Sequence, residues 1–305
     1  MALQKIGVIG LGLMGGNICR RLLNAATFDV TVTDVDPAKA QELAGCGARA
    51  AASVDEVVQS CDIVAISLPN PAIVKDALLK ESTRIAMKKG LVILDFSTLD
   101  ATTSKDVSAA LAANDVLYVD TPVSGGPAEA VKGALTIIIG ARKDELPTAM
   151  PVLNALGTSI HFADARGAGS TIKLVNNVIS LGNVLIAAEA LVLGAKAGVD
   201  GGTMFRILQH CGARSLSLVK RFPKALKGNF TPGFMVDLAE KDLALALDMA
   251  HKMKVPMMMA SLSHDIYLTA SKSGRGTLDT SAVLQYLEEM NGIEVRGETE
   301  VVVNA

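Results

Sequence analysis

The chain has 305 residues, enough for two domains whose cores need no disulfide or metal support. Half of it is hydrophobic but only 3% is aromatic, with no Trp, so the core is aliphatic and the stacking platforms of single-stranded nucleic-acid binders are disfavoured. Lys and Arg (29) nearly balance Asp and Glu (31), and no charge run stands out, which argues against a polyanionic partner.

In chain order, short apolar runs at 5–10, 29–34, 62–68, 91–96 and 116–120 read as strands, and segments near 14–25, 37–45, 54–60, 71–79 and 102–112 read as the helices between them. Strands that are apolar on both faces and joined by helical crossovers imply a parallel sheet covered on both sides, the doubly wound α/β pattern. Strands at 134–141 and 158–162, with a helix near 144–156, are expected to extend that sheet. After Gly167-Ala168-Gly169 the pattern becomes helical, at 170–197, 201–211, 214–226, 236–253, 256–273 and 280–290, with no strand before the Val-rich tail. The boundary is placed near 165, giving an α/β domain over 1–165 and an all-helical domain over 166–305.

Segment 170–197 is apolar on most faces and is expected to run through the middle of the helical half. Asn183, Glu189 and Lys196 interrupt it, which favours a buried helix over a membrane span. The apolar N-terminus carries glycines and continues into a helical pattern, so it reads as a first strand instead of a signal peptide. Cys19, Cys46, Cys61 and Cys211 show no close pairing and read as reduced, mostly buried thiols of a cytoplasmic protein. The histidines lack metal-ligand spacing, and no metal is expected.

Gly10-Leu11-Gly12-Leu13-Met14-Gly15 follows the first strand and opens a helix, within a βαβ unit whose second strand ends in Asp34. The first glycine permits the tight turn, the second lets backbone approach a pyrophosphate, and the third allows close helix packing. The helix start offers N–H groups to the phosphates. A carboxylate at Asp34 suits the adenosine ribose hydroxyls and repels a 2′-phosphate, so NAD is expected over NADP. Asp36 also reads as the cap of the next helix, with Pro37 at its first position.

Asp120-Thr-Pro-Val-Ser124-Gly125-Gly126-Pro127 follows a strand end, where open α/β sheets place ligands. Ser124 and two glycines could cradle a carboxylate through a hydroxyl and bare N–H groups, and an ordinary turn would look similar. Lys173, Asn177 and Ser180 fall at i, i+4 and i+7 of an otherwise apolar helix and form one polar stripe. Burying a Lys is costly unless it is paired or lines a wet cavity, so the stripe reads either as a cleft wall or as a solvent-facing first turn. Lys241, Leu245 and Asp248 share another helix face, which periodicity alone does not separate from solvated surface.

Together these segments resemble the β-hydroxyacid dehydrogenase family, which includes 3-hydroxyisobutyrate dehydrogenase and tartronate semialdehyde reductase. The matching elements are GVIGLGLMG at 7–15, DTPVSGGPAEAVKG at 120–133, GAGSTIKLVNN at 167–177 and KDLALALDMA at 241–250, in the expected order over essentially the whole chain. The resemblance implies a Rossmann domain followed by an all-helical domain, a homodimer or homotetramer, and hydride transfer between NAD(H) and a small 3-hydroxy acid or its semialdehyde. It makes Lys173 the catalytic residue, with Ser124, Gly125 and Gly126 on the substrate carboxylate and Asn177 positioning substrate. It places Lys241 at the cofactor end, Thr98 beside the nicotinamide, and Leu68 and Pro69 against the cofactor's ribose and phosphates. The usual glycine ending the first helix is replaced around Ala25-Ala26-Thr27, and Gly16 extends the loop. An imine substrate is disfavoured by the retained Lys173; a phosphorylated sugar acid would need cations such as Lys241, Arg214 or Arg221. A non-catalytic dinucleotide sensor is disfavoured by the complete motif set.

Overall fold

The structure is a computed structural model that describes residues 3–299. It forms two compact units, one up to Lys173 and one from Leu174. In the first, β1 (Gln4–Ile9), β2 (Phe28–Thr33), β3 (Arg49–Ala50), β4 (Ile63–Ile66), β5 (Val92–Asp95) and β6 (Leu117–Asp120) make a parallel sheet in the order β3-β2-β1-β4-β5-β6. The crossovers are α1 (Leu13–Asn24), α2 (Pro37–Ala44), α3 (Val54–Ser60), α4 (Pro71–Leu79), α5 (Glu81–Ala86) and α6 (Ala101–Ala112). Alternate strand residues serve two layers. Ile6, Val8, Val30, Ile63 and Leu94 pack with Ile18 and Leu22 of α1, whereas Ile9, Val64, Ile66 and Ile93 pack with Val57, Val74 and Val107 of α3, α4 and α6. Both faces are therefore covered, as an all-parallel sheet requires.

Helix starts follow local capping chemistry. Asp36, Ser53, Asn70 and Asp100 each accept a backbone N–H from the first turn of the following helix, and Pro37 and Pro71 sit just inside two of them. Strand order reverses between β1 and β4, and the loops leaving β1, β4, β5 and β6 gather at the carboxyl edge, where such sheets bind ligands.

The expected extension of the sheet is corrected. β7 (Val123–Ser124), β8 (Leu135–Ile139) and β9 (Gly157–Phe162) form a separate three-stranded sheet, β7 running antiparallel to β8. Pro122 has no N–H to give the ladder, so pairing with β5 stops at Thr121 and the chain leaves the first sheet. Between these strands lie α7 (Pro127–Lys132) and α8 (Met150–Leu156). The helix expected near 144–156 is split into a short 3-10 turn at Lys143–Glu145 and α8, since Pro147 cannot continue a helical ladder.

α9 (Ala168–Lys196) starts in the first unit and continues into the second, which also holds α10 (Gly201–Leu208), α11 (Leu216–Ala225), α12 (Val236–Lys252), α13 (Met258–Ala270) and α14 (Val283–Asn291). Leu181, Val184, Leu185, Ala188 and Leu191 of α9 share a core with Phe205, Phe222, Leu243, Tyr267 and Leu284. α9 is long and apolar enough to cross a membrane by length and composition, yet only 33% of its most apolar window is buried. The expected buried helix is thus corrected to one buried along a single side. Ile172, Ile179, Ile186 and Leu193, spaced by seven, are 45%, 60%, 58% and 72% exposed. α13 ends earlier than expected, at a kink where Gly274 takes a φ of +89°. Two of the thiols expected to be buried, Cys46 and Cys211, are exposed. The Val-rich tail lies outside the described residues.

Candidate active site

The glycine loop is built by close approaches. Gly10 has a φ of +86°, and a Cβ there would lie 2.4 Å from the Ser67 carbonyl oxygen at the end of the neighbouring β4. A Cβ on Gly15 would lie 1.9 Å from the Gly10 carbonyl oxygen, so α1 can abut the loop only without a side chain. Gly12 is different: its Cβ would meet open space, and as the N-cap of α1 it offers no side-chain cap to the first-turn N–H groups. Those amides and the bare backbone beside exposed Leu13 and half-buried Met14 fit a dinucleotide pyrophosphate. Gly16 packs beneath the same loop, where a Cβ would come to 3.2 Å from the Leu11 carbonyl oxygen.

Asp34 follows β2 directly. Its Oδ2 accepts the Leu11 N–H at 2.6 Å and its Oδ1 accepts the Asp36 N–H at 2.9 Å, so the acid ties the end of β2 to the glycine loop. Lys39 Nζ stands 3.6 Å from Oδ1.

Leu68, half-buried, and Pro69, exposed, continue from β4. The Leu68 N–H donates to Ser97 Oγ at 2.9 Å, and the Ser97 N–H donates to Asp95 Oδ1 at 2.8 Å. Tyr118 donates its hydroxyl to Asp95 Oδ2 at 2.6 Å. This buried chain joins the loop after β4 to the segment that carries half-buried Thr98. Burial pushes the Asp95 carboxyl up to about 6, against the opposing pull of the Ser97 and Tyr118 bonds. Burial and the adjacent Asp95 carboxylate hold the Tyr118 phenol well above its ordinary range. Asp95, Ser97 and Tyr118 were not singled out by the motifs. The segment Asp95-Phe96-Ser97-Thr98 places the first and third of its residues beside Thr98, but nothing in the sequence pairs them with Tyr118 or Leu68.

Ser124, half-buried, pairs with Thr136 across β7 and β8, and Gly125 is exposed with a φ of +119°. The Gly126 N–H already donates to Glu129 Oε2 at 2.9 Å. The remaining polar groups of the turn are therefore the Ser124 hydroxyl and the backbone at Gly125. Lys173 lies half-buried near the start of α9, whose first amides are held by Asp120: Gly167 N–H to Oδ1 at 2.9 Å and Ser170 N–H to Oδ2 at 2.8 Å.

In the helical unit, Asn177 is buried and donates its amide to Asp242 Oδ2 at 2.6 Å, while its own amide oxygen accepts from Asn176 at 3.0 Å. Asp242, 2% exposed, also sits 2.9 Å from Lys241 Nζ. One buried carboxylate thus holds both Asn177 and Lys241, a link between two motifs that spacing could not reveal. Ser180 bonds Ser217, and Asp248 pairs with Lys252 on the surface. Arg221, a candidate for a substrate phosphate, is paired with Asp279 at 3.0 Å. Among the described residues no cluster of three or more His, Cys, Asp or Glu could hold a metal.

Comparison with known proteins covers both halves. Residues 5–164 match the family model for the NAD binding domain of 6-phosphogluconate dehydrogenase, and residues 167–287 match that for the NAD-binding region of NADP-dependent 3-hydroxyisobutyrate dehydrogenase. The chain is 35% identical to 2-(hydroxymethyl)glutarate dehydrogenase of Eubacterium barkeri over 96% of its length and 98% of that protein. The crystal structure of a 3-hydroxyisobutyrate dehydrogenase from Salmonella typhimurium superposes with a TM-score of 0.83 at 31% identity, covering 93% of this chain and 99% of that one. A structure of Psf3 in complex with NADP+ superposes with a TM-score of 0.84 at 25% identity, covering 92% and 99% of the two chains. With a glycine loop shaped for a dinucleotide and relatives of this similarity spanning nearly its whole length, the chain belongs to the β-hydroxyacid dehydrogenase family.

Proposed function

We propose that this NAD(P)-dependent dehydrogenase uses NAD(H) on a small 3-hydroxy carboxylic acid or the corresponding semialdehyde, with Lys173 as its general acid and base. The observation that carries the assignment is the placement of Lys173. It stands just past the capped start of α9, and that cap comes from the carboxyl end of β6, the edge where the glycine loop, Leu68 and Thr98 also lie.

The nicotinamide, when bound, accepts or delivers the hydride. In reduction the Lys173 ammonium donates a proton to the carbonyl oxygen as negative charge grows there; in oxidation its neutral amine takes the proton from the hydroxyl. The Ser124 hydroxyl and the Gly125 backbone hold the substrate carboxylate, beside Gly126, whose N–H is committed to Glu129. Asn177 positions substrate and Lys241 contacts the cofactor, both oriented by Asp242. Gly10, Gly12, Leu13, Met14 and Gly15 take the pyrophosphate, Leu68 and Pro69 the ribose and phosphates, and Thr98 lies beside the nicotinamide. Asp34 supports NAD over NADP, since its carboxylate already faces the glycine loop and would repel a 2′-phosphate.

The stripe Ile172, Ile179, Ile186 and Leu193 is assigned to a second copy of the chain. Seven-residue spacing keeps it on one helix face, and a two-fold axis crossing α9 between Gly182 and Asn183 would pair Ile179 with Ile186 and Ile172 with Leu193 of the second copy. The exposed thiols Cys46 and Cys211 suit a reducing cytoplasm.

The test follows NADH and NADPH absorbance with 3-hydroxyisobutyrate, glycerate, 2-(hydroxymethyl)glutarate, threonate and sulfonated analogues. Turnover of at least one 3-hydroxy acid with NAD is expected; turnover of none, or only with NADP, contradicts the proposal.

A further inference from the structure

Asp120 ends β6 and is 1% exposed; the neighbouring Asp95 on β5 repels its carboxylate, whose two oxygens turn elsewhere. Both point at the start of α9. Oδ1 accepts the Gly167 N–H at 2.9 Å and Oδ2 accepts the Ser170 N–H at 2.8 Å. An N-cap side chain normally satisfies the amide three residues on, but Gly167, with a φ of +80°, has none to offer. A residue 50 positions away in sequence supplies it instead.

The neighbourhood is shaped around that carboxylate. A Cβ on Gly140 would stand 2.1 Å from Asp120 Oδ1, and one on Gly169 would stand 3.0 Å from Oδ2. The Gly140 N–H also bonds the Asp120 carbonyl oxygen at 2.8 Å, and Arg166 ties the Gly140 carbonyl from the other side at 2.9 Å. A second anchor fixes the same turn, the buried hydroxyl pair Ser104 and Ser170 at 2.8 Å. A Cβ at either glycine would thus crowd the acid, and at Gly169 it would also stand 2.8 Å from the Ile138 carbonyl oxygen, while the helix start is held from both the sheet and α6. Burial raises the Asp120 carboxyl above its ordinary range, against the opposing pull of the Gly167 and Ser170 amides. Lys173 follows Ser170 by three residues, on the same side of the helix.

We infer that Asp120 is a positioning residue for the reaction, fixing the height and rotation of the turn that places Lys173, an inference that rests on Lys173 as the proton-transferring group. Asparagine at 120 keeps the size but offers one acceptor oxygen to two amides and turns an NH2 toward the other, so the helix start must shift or lose a bond. A shift on the order of 1 Å at a catalytic group can cost about 10²-fold in rate.

The experiment is a double-mutant cycle on Asp120→Asn and Lys173→Ala, read as kcat and as KM for NADH, with the semialdehyde of the fastest hydroxy acid in the panel above. Asp120→Asn is expected to lower kcat about tenfold or more with KM for NADH within about twofold, and Lys173→Ala to lower kcat at least about 10²-fold. The double variant is expected to be no slower than Lys173→Ala, within about twofold, because a residue that acts only through Lys173 has nothing left to position. If the Asp120→Asn factor multiplies in full on Lys173→Ala, Asp120 is merely structural and the inference is overturned while the Lys173 assignment stands. If Lys173→Ala turns over normally, the Lys173 assignment itself has failed. Should Asp120→Asn not fold, amide exchange of the unmodified protein decides. Gly167 and Ser170 are expected to exchange at least about 10²-fold more slowly than unbonded helix-start amides, and free exchange of both overturns the inference.

Discussion

Asp34 and Asp95 show how two carboxylates at the same sheet edge come to do different work. Asp34 accepts two backbone N–H bonds and stays within reach of Lys39, in a place where an adenosine ribose would also find an acceptor. Replacing it with Arg removes the repulsion of a 2′-phosphate, and Asp34→Arg is expected to shift the kcat/KM ratio toward NADP by tenfold or more, on the order of the gain from one strong charge-assisted contact. An unchanged ratio in assays with both cofactors would put the ribose elsewhere. Asp95 is wholly enclosed, and burial raises it to about 6. Between roughly pH 4 and that value the folded protein keeps a proton that the unfolded chain has released, so stability falls as pH rises through this window. Above it the full cost, about 3 kcal/mol, is present. Asp95→Asn is therefore expected to melt higher than the parent at about pH 7.5, with the difference fading toward about pH 4. A lower melting temperature at both pH values would mean that the bonds from Ser97 and Tyr118 outweigh the burial.

Helix and strand patterns report periodicity, not partners, and the elements show where that limit falls. The glycine loop was legible because its chemistry is local: β1, Gly10 to Gly15 and α1 are consecutive, and Asp34 simply ends the next strand. Gly126 was legible as a turn glycine but not as a spent donor, because the bond to Glu129 depends on how α7 starts. The separate sheet hinged on one missing N–H at Pro122, a small mark beside the two strand patterns at 134–141 and 158–162, and its third strand, β7, read only as a turn. α9 is the clearest case, since its composition could not say which side other helices would cover. The exposed stripe makes a prediction of its own: light scattering should give the mass of at least a dimer, and Ile179→Glu, which buries a charge in the seam, should yield monomers. A monomeric parent, or a variant of unchanged mass, would remove α9 from the interface.

At the scale of the molecule, the sequence divides function as the chain divides into units. The α/β unit holds the dinucleotide loop, the Asp95 chain, the Ser124 turn and the Asp120 cap, while the helical unit holds Asn177 and Lys241 on one buried Asp242. The motif residues themselves stood out in the sequence because turn glycines and a lone polar stripe violate their surroundings. The distant partners of Asp95, Asp120 and Asp242 did not, since Tyr118, the start of α9 and Asn177 reach those acids only through folding. The low aromatic content fits the proposed use of backbone amides, hydroxyls and ammonium groups in place of stacking. The proposed chemistry turns on one proton, carried by Lys173. The most direct measurement is the kcat of Lys173→Ala together with its affinity for NADH by fluorescence titration: the account predicts a loss of at least about 10²-fold in kcat with NADH bound as by the parent, and near-normal turnover would contradict it.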